Sequence, residues 1–462
     1  MKIKKVKWNN HPILGNLELD FTNPATGEPF NNILFAGENG CGKTTILESI
    51  STFLNLGSFE NFEYIEYIIN GELLKAKPQP GQNNIKLGFH IIEDSAGNIT
   101  QIHANKNNNF KAIEENLKDI RHYGCIFSKA RSDFRTEAIK STTTKELDSE
   151  KYSKDNEDNF TSLKQLIVDI QNQDNAEYSK VNREKGDRGE SPLAYPDFYL
   201  TSKIYRFKEA FNNFFDRIKY DNVEDGDGEK KILFKKNNLS IPIDSLSTGE
   251  KQIVFRGAYL LKNTKKLDGA AIMLDEPELS MHPKWQEKIL QYYKDLFTEN
   301  NGTQKVQLFF ATHSEHVLKE ALGDRNNNLV IVLTENAGVI ESKRIVAPSV
   351  LPTITNAETN YLAFGIVSND YHIELYGWLH EKEGLYSIKR CDDYIKAQQD
   401  YNSTIHDKPS SFTYPINGSV TNYNTLSTYI RNCIDHPSTT TNFSEMELKT
   451  SIELLIELVK YI

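Results

Sequence analysis

The residues with the most chemistry to offer form the string Gly37-Glu38-Asn39-Gly40-Cys41-Gly42-Lys43-Thr44. Its glycines let backbone N–H groups curl around phosphate oxygens at a helix N-terminus. Lys43 can reach the β- and γ-phosphates, and the Thr44 hydroxyl can ligate Mg²⁺. Asn39 and Thr45 complete the set expected to touch a nucleotide. Far downstream, the apolar run Ala270 to Leu274 ends in Asp275-Glu276. Asp275 is suited to holding Mg²⁺ through water, and Glu276 to orienting and deprotonating the water that attacks a γ-phosphoryl group. Leu308 to Ala311 repeats the arrangement one strand further on, and His313 behind it can donate a hydrogen bond to a γ-phosphate. Finally, Leu246 to Gln252 opens a helix about 200 residues after Lys43. There Ser247 and Gly249 offer a hydroxyl and an unobstructed backbone N–H, a second anion site. By spacing alone, an ordinary capping box, Ser247 with Glu250 three residues on, is the better reading.

The elements that must carry these residues follow from the apolar periodicity. Ile33 to Ala36 is a strand before the phosphate loop, and Thr45 to Leu54 is a helix after it. Ile3 to Lys7 and Leu17 to Phe21 alternate as two earlier strands, and Ile85 to Ile92 and Gly124 to Phe127 read as two later ones. Leu200 to Ile218 has helical spacing. After residue 245, helix and strand alternate, as a covered parallel sheet requires. The polar run 176–191 is expected to be irregular or partner-dependent. No heptad pattern is sustained, so no long coiled coil is expected. Residues 350–462 read as mostly helical, with an apolar stripe through Met446, Ile452, Leu455, Val459 and Ile462.

The bulk properties narrow the function. With 54 basic and 64 acidic residues among 462, the net charge is −10, which excludes a chain that coats nucleic acid with its whole surface. Nowhere do 18 uncharged apolar residues run together, so no membrane span is expected. Cys41, Cys125, Cys391 and Cys433 have no paired spacing, which disfavours a zinc site and fits a reducing, cytoplasmic setting.

Leu246 to Gln252 resembles the signature motif of the ABC-type ATPases, and Gly37–Thr44, Asp275-Glu276 and His313 stand in that superfamily's order. Within it, the strings Asp275 to Pro283 and Ala311 to Ser314 resemble the SMC, RecF and OLD branch. The resemblance implies an α/β fold: a P-loop head with a mixed sheet flanked by helices and a β-rich leading subdomain. It divides the chain into a first part of the head (1–105), an inserted helical and polar segment (106–240), the rest of the head (241–349) and a helical partner or oligomerisation region (350–462). It also implies ATP and Mg²⁺ as cofactors, and hydrolysis to ADP and phosphate. Two heads pair head to tail in this superfamily, so the chain is expected to be a homodimer or higher oligomer. Ser247 and Gly249 then act in trans on the partner's nucleotide, and an isolated head hydrolyses poorly.

A finer resemblance rests on Ser128 to Phe134, Leu163 to Asn175, Ala363 to Ile366, His372 to Gly377 and Arg431 to Pro437. These strings resemble the stand-alone ATPases of bacterial anti-phage defence, of the Septu and retron-associated kind. That implies a switch controlling a separate nuclease, of HNH type in Septu. The competing expectation is a DNA-binding repair clamp, for which Lys106, Lys111, Arg131 and Arg135 are the candidate basic face. Two departures stand out. The superfamily's Mg²⁺-sensing glutamine has several candidates, including Gln165 and Gln171, and none is assigned. OLD proteins carry a C-terminal Toprim nuclease, but here the nearest acid cluster, Asp392-Asp393, follows no apolar strand, so no built-in nuclease is expected.

Overall fold

The computed structural model describes residues 1–155, 160–299, 301–413, 418–437 and 442–460; Ile462, in the expected C-terminal stripe, lies outside them. Alternating apolar residues at the start of the chain make an antiparallel sheet. Strands β1 (Lys2–Trp8) and β2 (Glu18–Asp20) open it, β3 (Asn32–Gly37) departs toward the phosphate loop, and β4 (Phe62–Ile69), β5 (Glu72–Pro78), β6 (His90–Asp94) and β7 (Ile99–Ile102) complete it. Its order is β2-β1-β4-β5-β6-β7.

Continuous apolar runs instead make a central sheet that is parallel except at one edge, the strand Val339–Ile345. Strands β8 (Cys125–Ser128), β13 (Ala271–Asp275) and β14 (Gln307–Ala311) are, like β3, buried at every residue, as strands covered on both faces must be. With β9 (Tyr152–Lys154), β15 (Asn328–Asn336) and β16 (Val339–Ile345) the sheet runs β16-β15-β3-β14-β13-β8-β9. The register aligns the strand ends: Phe35 sits opposite Ala311, Ala311 opposite Asp275, and Leu274 opposite Ser128. Loops leaving β3, β14, β13 and β8 therefore gather at one carboxyl edge, where ligands bind in open α/β sheets.

The helix Lys43–Leu54 buries Ile46, Leu47, Ile50, Phe53 and Leu54 in a core shared by both sheets. Gln307 stitches the sheets together: its amide accepts from Ile3 N at 2.7 Å and donates to Ile3 O and Phe30 O at 2.9 Å each. Every bonding group of that buried side chain is used, which fixes the sheets' spacing. A third, antiparallel sheet of β10 (Ile218–Gly226), β11 (Glu229–Lys236) and β12 (Leu239–Pro242) precedes the signature helix.

Four expectations need correction. The segment 106–240 is not a free-standing insertion, because it supplies β8 and β9 to the central sheet. The run 176–191 is helical as far as Asp187: one helix spans Thr161–Asp187, and Tyr178 packs on Tyr195 and Phe198 and donates to Leu193 O at 2.9 Å. The expected helix Leu200 to Ile218 shrinks to Tyr205–Phe214, with Ile218 already in β10. Phe214 and Phe215 both pack on Trp285, whereas a continuing helix would turn them about 100° apart. Similarly, Ile85 begins no strand: a helical turn at Gln82–Lys86 satisfies its own backbone, and pairing starts only at His90.

The chain divides into two compact units, Met1–Arg344 and Ile345–Ile462. In the second, helices pack around Leu375, Leu379, Ile395, Ile430, Ile452 and Leu455, with a hairpin of β17 (Asp407–Thr413) and β18 (Val420–Thr425) that the helical reading did not include. Met446, placed on the apolar stripe, is 71% exposed. Asp392 is consumed by structure: it is fully buried and accepts from Asn424 N, Thr425 N and Thr425 Oγ1.

Candidate nucleotide site

Backbone geometry sets up the phosphate loop. Gly37 has φ +134°, and a Cβ there would lie 2.2 Å from Leu333 O, so only glycine lets β3 turn beside β15. Gly40 and Gly42 follow with φ +89° each, and Asn39, just before them, is exposed. Lys43 starts the helix with its side chain buried. Its Nζ donates to Gly37 O at 2.9 Å and Glu38 O at 2.8 Å, so the loop's own carbonyls hold the ammonium. Burial pulls the Lys43 pKa below the ordinary lysine value, and Cys41, Glu276 and Asp275 oppose that shift.

Thr44 Oγ1 donates to Asp275 Oδ1 at 3.0 Å, joining the loop to the end of β13. Asp275 is buried, and desolvation raises its carboxyl pKa, with the Thr44 bond opposing. A hydroxyl and a carboxylate this close are hard oxygen donors of the kind Mg²⁺ takes, so the pair fits the expected metal. Thr45 is half-buried one residue on. Glu276 adopts φ +40°, pinned by its N–H donating to Ala311 O at 2.9 Å. A left-handed backbone at a non-glycine residue is costly and occurs where structure around it enforces it. His313 Nε2 stands 3.6 Å from Glu276 Oε1, with each side chain about one-third exposed (33% and 32%). Burial and the charge of Lys43 hold the His313 pKa below the ordinary histidine value, which keeps the imidazole neutral.

Lys43, Thr44, Asp275, Glu276 and His313 are thus brought together, whereas Ser247 and Gly249 are not with them. The latter line a separate cavity of about 670 Å³ with Ser132, Thr248, Ser280 and His282. Ser247 does form the capping box: its hydroxyl accepts from Glu250 N at 3.4 Å, and Glu250 accepts from Ser247 N at 2.7 Å. Gly249 is required by close approach, since a Cβ would sit 2.8 Å from Ser280 O. Lys236 of β11 pairs with Glu250 at 2.7 Å and clamps the helix start from outside.

Three residues that the sequence reading passed over support the site. Glu278, fully desolvated, accepts from Thr312 Oγ1 at 2.6 Å and His313 N at 3.0 Å, and so sets the loop that carries His313. A π-helical stretch, Gln252–Arg256, turns two polar residues inward. Arg256 donates to Asp275 O at 3.2 Å and to Lys129 O; Gln252 donates to Arg131 O at 2.6 Å and Leu279 O at 3.2 Å. Glu278 lay within the quoted acidic string, and Arg256 is a lone charge on an otherwise apolar helix face; both were readable signals. Gln165 and Gln171 lie on the helix Thr161–Asp187, where Gln165 donates to Ser141 O and Asp169, and Gln171 accepts from Tyr220. Of the expected basic face, Lys111 pairs with Glu115, Arg131 with Asp155 and Arg135 with Asp133.

A phosphate loop at the carboxyl edge of a parallel sheet, an Asp-Glu pair ending the strand next but one, and a signature helix elsewhere on the same unit define the head of an ABC-type P-loop protein. Comparison with known proteins agrees with that class. The family described as "AAA domain, putative AbiEii toxin, Type IV TA system" matches residues 33–319, and the chain belongs to it. Among curated relatives, Septu protein PtuA of Bacillus thuringiensis is 24% identical over 73% of this chain and 77% of its own. A retron Ec83 probable ATPase of Escherichia coli is 23% identical over 69% of both chains. The SMC head domain from Thermotoga maritima overlays loosely, with TM-score 0.37 and 15% identity, covering 75% of this chain and 99% of that one. No helix among the described residues is long and apolar enough to cross a membrane.

Proposed function

We propose that this chain is the ATP-binding and hydrolysing switch subunit of a Septu-like anti-phage defence complex, acting through a nucleotide-sandwich dimer on a separate nuclease. One observation carries the reading: five residues suited to binding and hydrolysis stand together, while Ser247 and Gly249 open onto a different cavity. A second copy, turned head to tail, would bring its signature residues to the first copy's phosphate loop. The likeness to Septu and retron proteins supports the biological setting.

When bound, ATP supplies the γ-phosphoryl group and Mg²⁺ the charge that offsets its oxygens. Gly37, Asn39, Gly40, Gly42 and Thr45 cradle the phosphates through the loop and helix start. Lys43 exchanges the carbonyls of Gly37 and Glu38 for phosphate oxygens. Thr44 and Asp275 would hold the metal, the aspartate through water. Glu276 takes a proton from the attacking water, and neutral His313 donates to the γ-phosphate. The region 350–462 is the proposed docking surface for the nuclease, of HNH type if the Septu likeness extends that far, or for higher assembly.

The direct test is Glu276→Gln. The variant should bind ATP and elute as a dimer on size-exclusion chromatography with ATP and Mg²⁺, and as a smaller species without them. An ATP-saturated variant that stays monomeric would overturn the sandwich. Co-purification from the native operon should recover a nuclease, and its loss on deleting residues 350–462 would locate the docking region. Tight, salt-dependent duplex binding by the ATPase alone, with no recovered partner, would favour the repair clamp instead.

A further inference from the structure

At the far end of the phosphate-loop helix, a cavity of about 1070 Å³ opens between Thr52 to Gly57, the short helix Phe110–Glu115 and strand β9. That is the upper end of the size range for small-molecule sites, roughly 300–1,000 Å³. No residue of the nucleotide site lines it. Lys106, Lys151, Lys154 and Lys266 do, against the two acids Glu114 and Glu150.

In a chain with more acids than bases, lysines usually find a carboxylate, as Lys118 does with Glu72 and Lys305 with Glu299. Among the described residues, none of these four forms an ion pair. Lys266 donates to Ser149 O at 3.1 Å, while the Nζ atoms of Lys151 and Lys154 lie 5.6 and 5.7 Å from the ring centroids of Tyr152 and Phe127. A simpler role would be to neutralise the carbonyl end of the phosphate-loop helix. Yet none of the four donates to a carbonyl of that helix among the described residues. Burial holds the Lys151 pKa below the ordinary lysine value, with Glu114 and Asp119 opposing the shift and Lys266 adding to it. Neither amide atom of Asn55, on the wall, has a hydrogen-bond partner, and both are buried. Phe110 and Tyr152 meet edge to face at 6.0 Å and give the wall an aromatic surface.

We propose that this cavity binds a free nucleoside diphosphate at a site separate from the phosphate loop. The lysines take the phosphates, and Phe110 and Tyr152 the base. The two sites lie at opposite ends of one helix of 12 residues, about 18 Å long. This does not rest on the switch reading, and it stands or falls separately.

The test uses the full chain carrying Lys43→Ala, which weakens the phosphate loop, titrated calorimetrically with ADP, with GDP and with the oligonucleotide dT10. ADP or GDP should bind with a Kd of about 1 mM or tighter. Adding Lys151→Glu and Lys266→Glu should weaken that binding about tenfold or more, with the neutral pair Lys151→Gln and Lys266→Gln weakening it less. Reversing the paired surface lysines Lys111 and Lys118 should leave it unchanged. In the chain with Lys43 intact, the two glutamate substitutions should leave ATP binding at the loop unchanged, which also checks that they fold. No binding of ADP or GDP at several millimolar, binding indifferent to Lys151 and Lys266, or binding of dT10 alone would each overturn the proposal.

Discussion

His313 Nε2 stands 3.6 Å from Glu276 Oε1, each carried on the loop leaving its own strand, β14 and β13, with Ala311 and Asp275 in register behind them. The distance is just too long for a hydrogen bond, so the two side chains present neighbouring polar atoms to whatever oxygen lies beside them. Glu276→Gln keeps the size and removes the base, so hydrolysis should fall about 10²- to 10⁴-fold while ATP affinity is retained. His313→Gln should cut turnover with a smaller effect on binding. Because burial and Lys43 depress the His313 pKa, turnover should show no histidine inflection near the ordinary value of 6.5. An inflection there that disappears in His313→Gln would refute the neutral assignment. Single-turnover kinetics and nucleotide titration across pH 5.5–8 separate these effects.

Arg256 joins three segments through Asp275 O and Lys129 O, from a position only 2% exposed. Arg256→Met keeps the apolar stem but leaves those buried carbonyls without their donor. The expected loss is about 2–4 kcal/mol, from stranded acceptors more than from lost charge. Lysine should rescue little, because one ammonium cannot reproduce the planar fork. Urea denaturation of the three proteins checks the order; an Arg256→Lys protein as stable as the original would show that the fork is dispensable.

The head was legible because chemistry ends its strands. Ala270 to Leu274 and Leu308 to Ala311 are uninterrupted apolar runs, and only a doubly covered strand reads that way, so the polar residues after them had to sit at a sheet edge. Arg256 and Gln252 were not legible in the same manner. Their roles depend on a π-helical stretch, and their partners Lys129 and Arg131 lie more than 120 residues away. The helix running through residues 176–187 was hidden too: Tyr178 on it meets Tyr195 and Phe198, a local aromatic cluster that a polar composition does not announce. The extent of the helix near 205 was misjudged because Ile218 fits helical spacing and strand alternation equally well.

Glu278 gives a pH prediction with a defined sign. Burial raises its pKa above the ordinary carboxylate value of 4.5, so the fold prefers the neutral acid. Its contribution is therefore fully present below pH 4.5 and is lost as pH rises through the folded value. Glu278→Gln imitates the neutral form and can still accept from Thr312 and His313 through its carbonyl oxygen. The glutamine protein should gain stability relative to the parent as pH rises from 5 to 8. Glu278→Ala should lose about 2–4 kcal/mol at pH 5, because it strands both donors, and less at pH 8, where the parent has lost stability as well. Thermal melts over that range decide it, and a glutamine-to-parent difference independent of pH would sink the argument.

In the second unit, His372 is fully buried, with Nε2 2.9 Å from Ser451 Oγ and Nδ1 without a partner. Burial pulls its pKa from 6.5 down to about 3. The folded state thus refuses a proton that the unfolded chain accepts. Stability from the neutral ring is complete above pH 6.5 and drains as pH falls toward about 3, with a limiting slope of about 1.4 kcal/mol per pH unit. His372→Asn removes the titration while keeping a polar side chain near Ser451. Hydrogen exchange in the helix Asn369–Lys382 should accelerate on acidification in the parent and much less in the variant, once intrinsic exchange rates are corrected. His90, also buried and pulled down to about 4, lies in the first unit and should give the same acid response there in both proteins, which makes it the internal control. Equal acceleration of the helix Asn369–Lys382 in parent and variant would mean that a group other than His372 opens it.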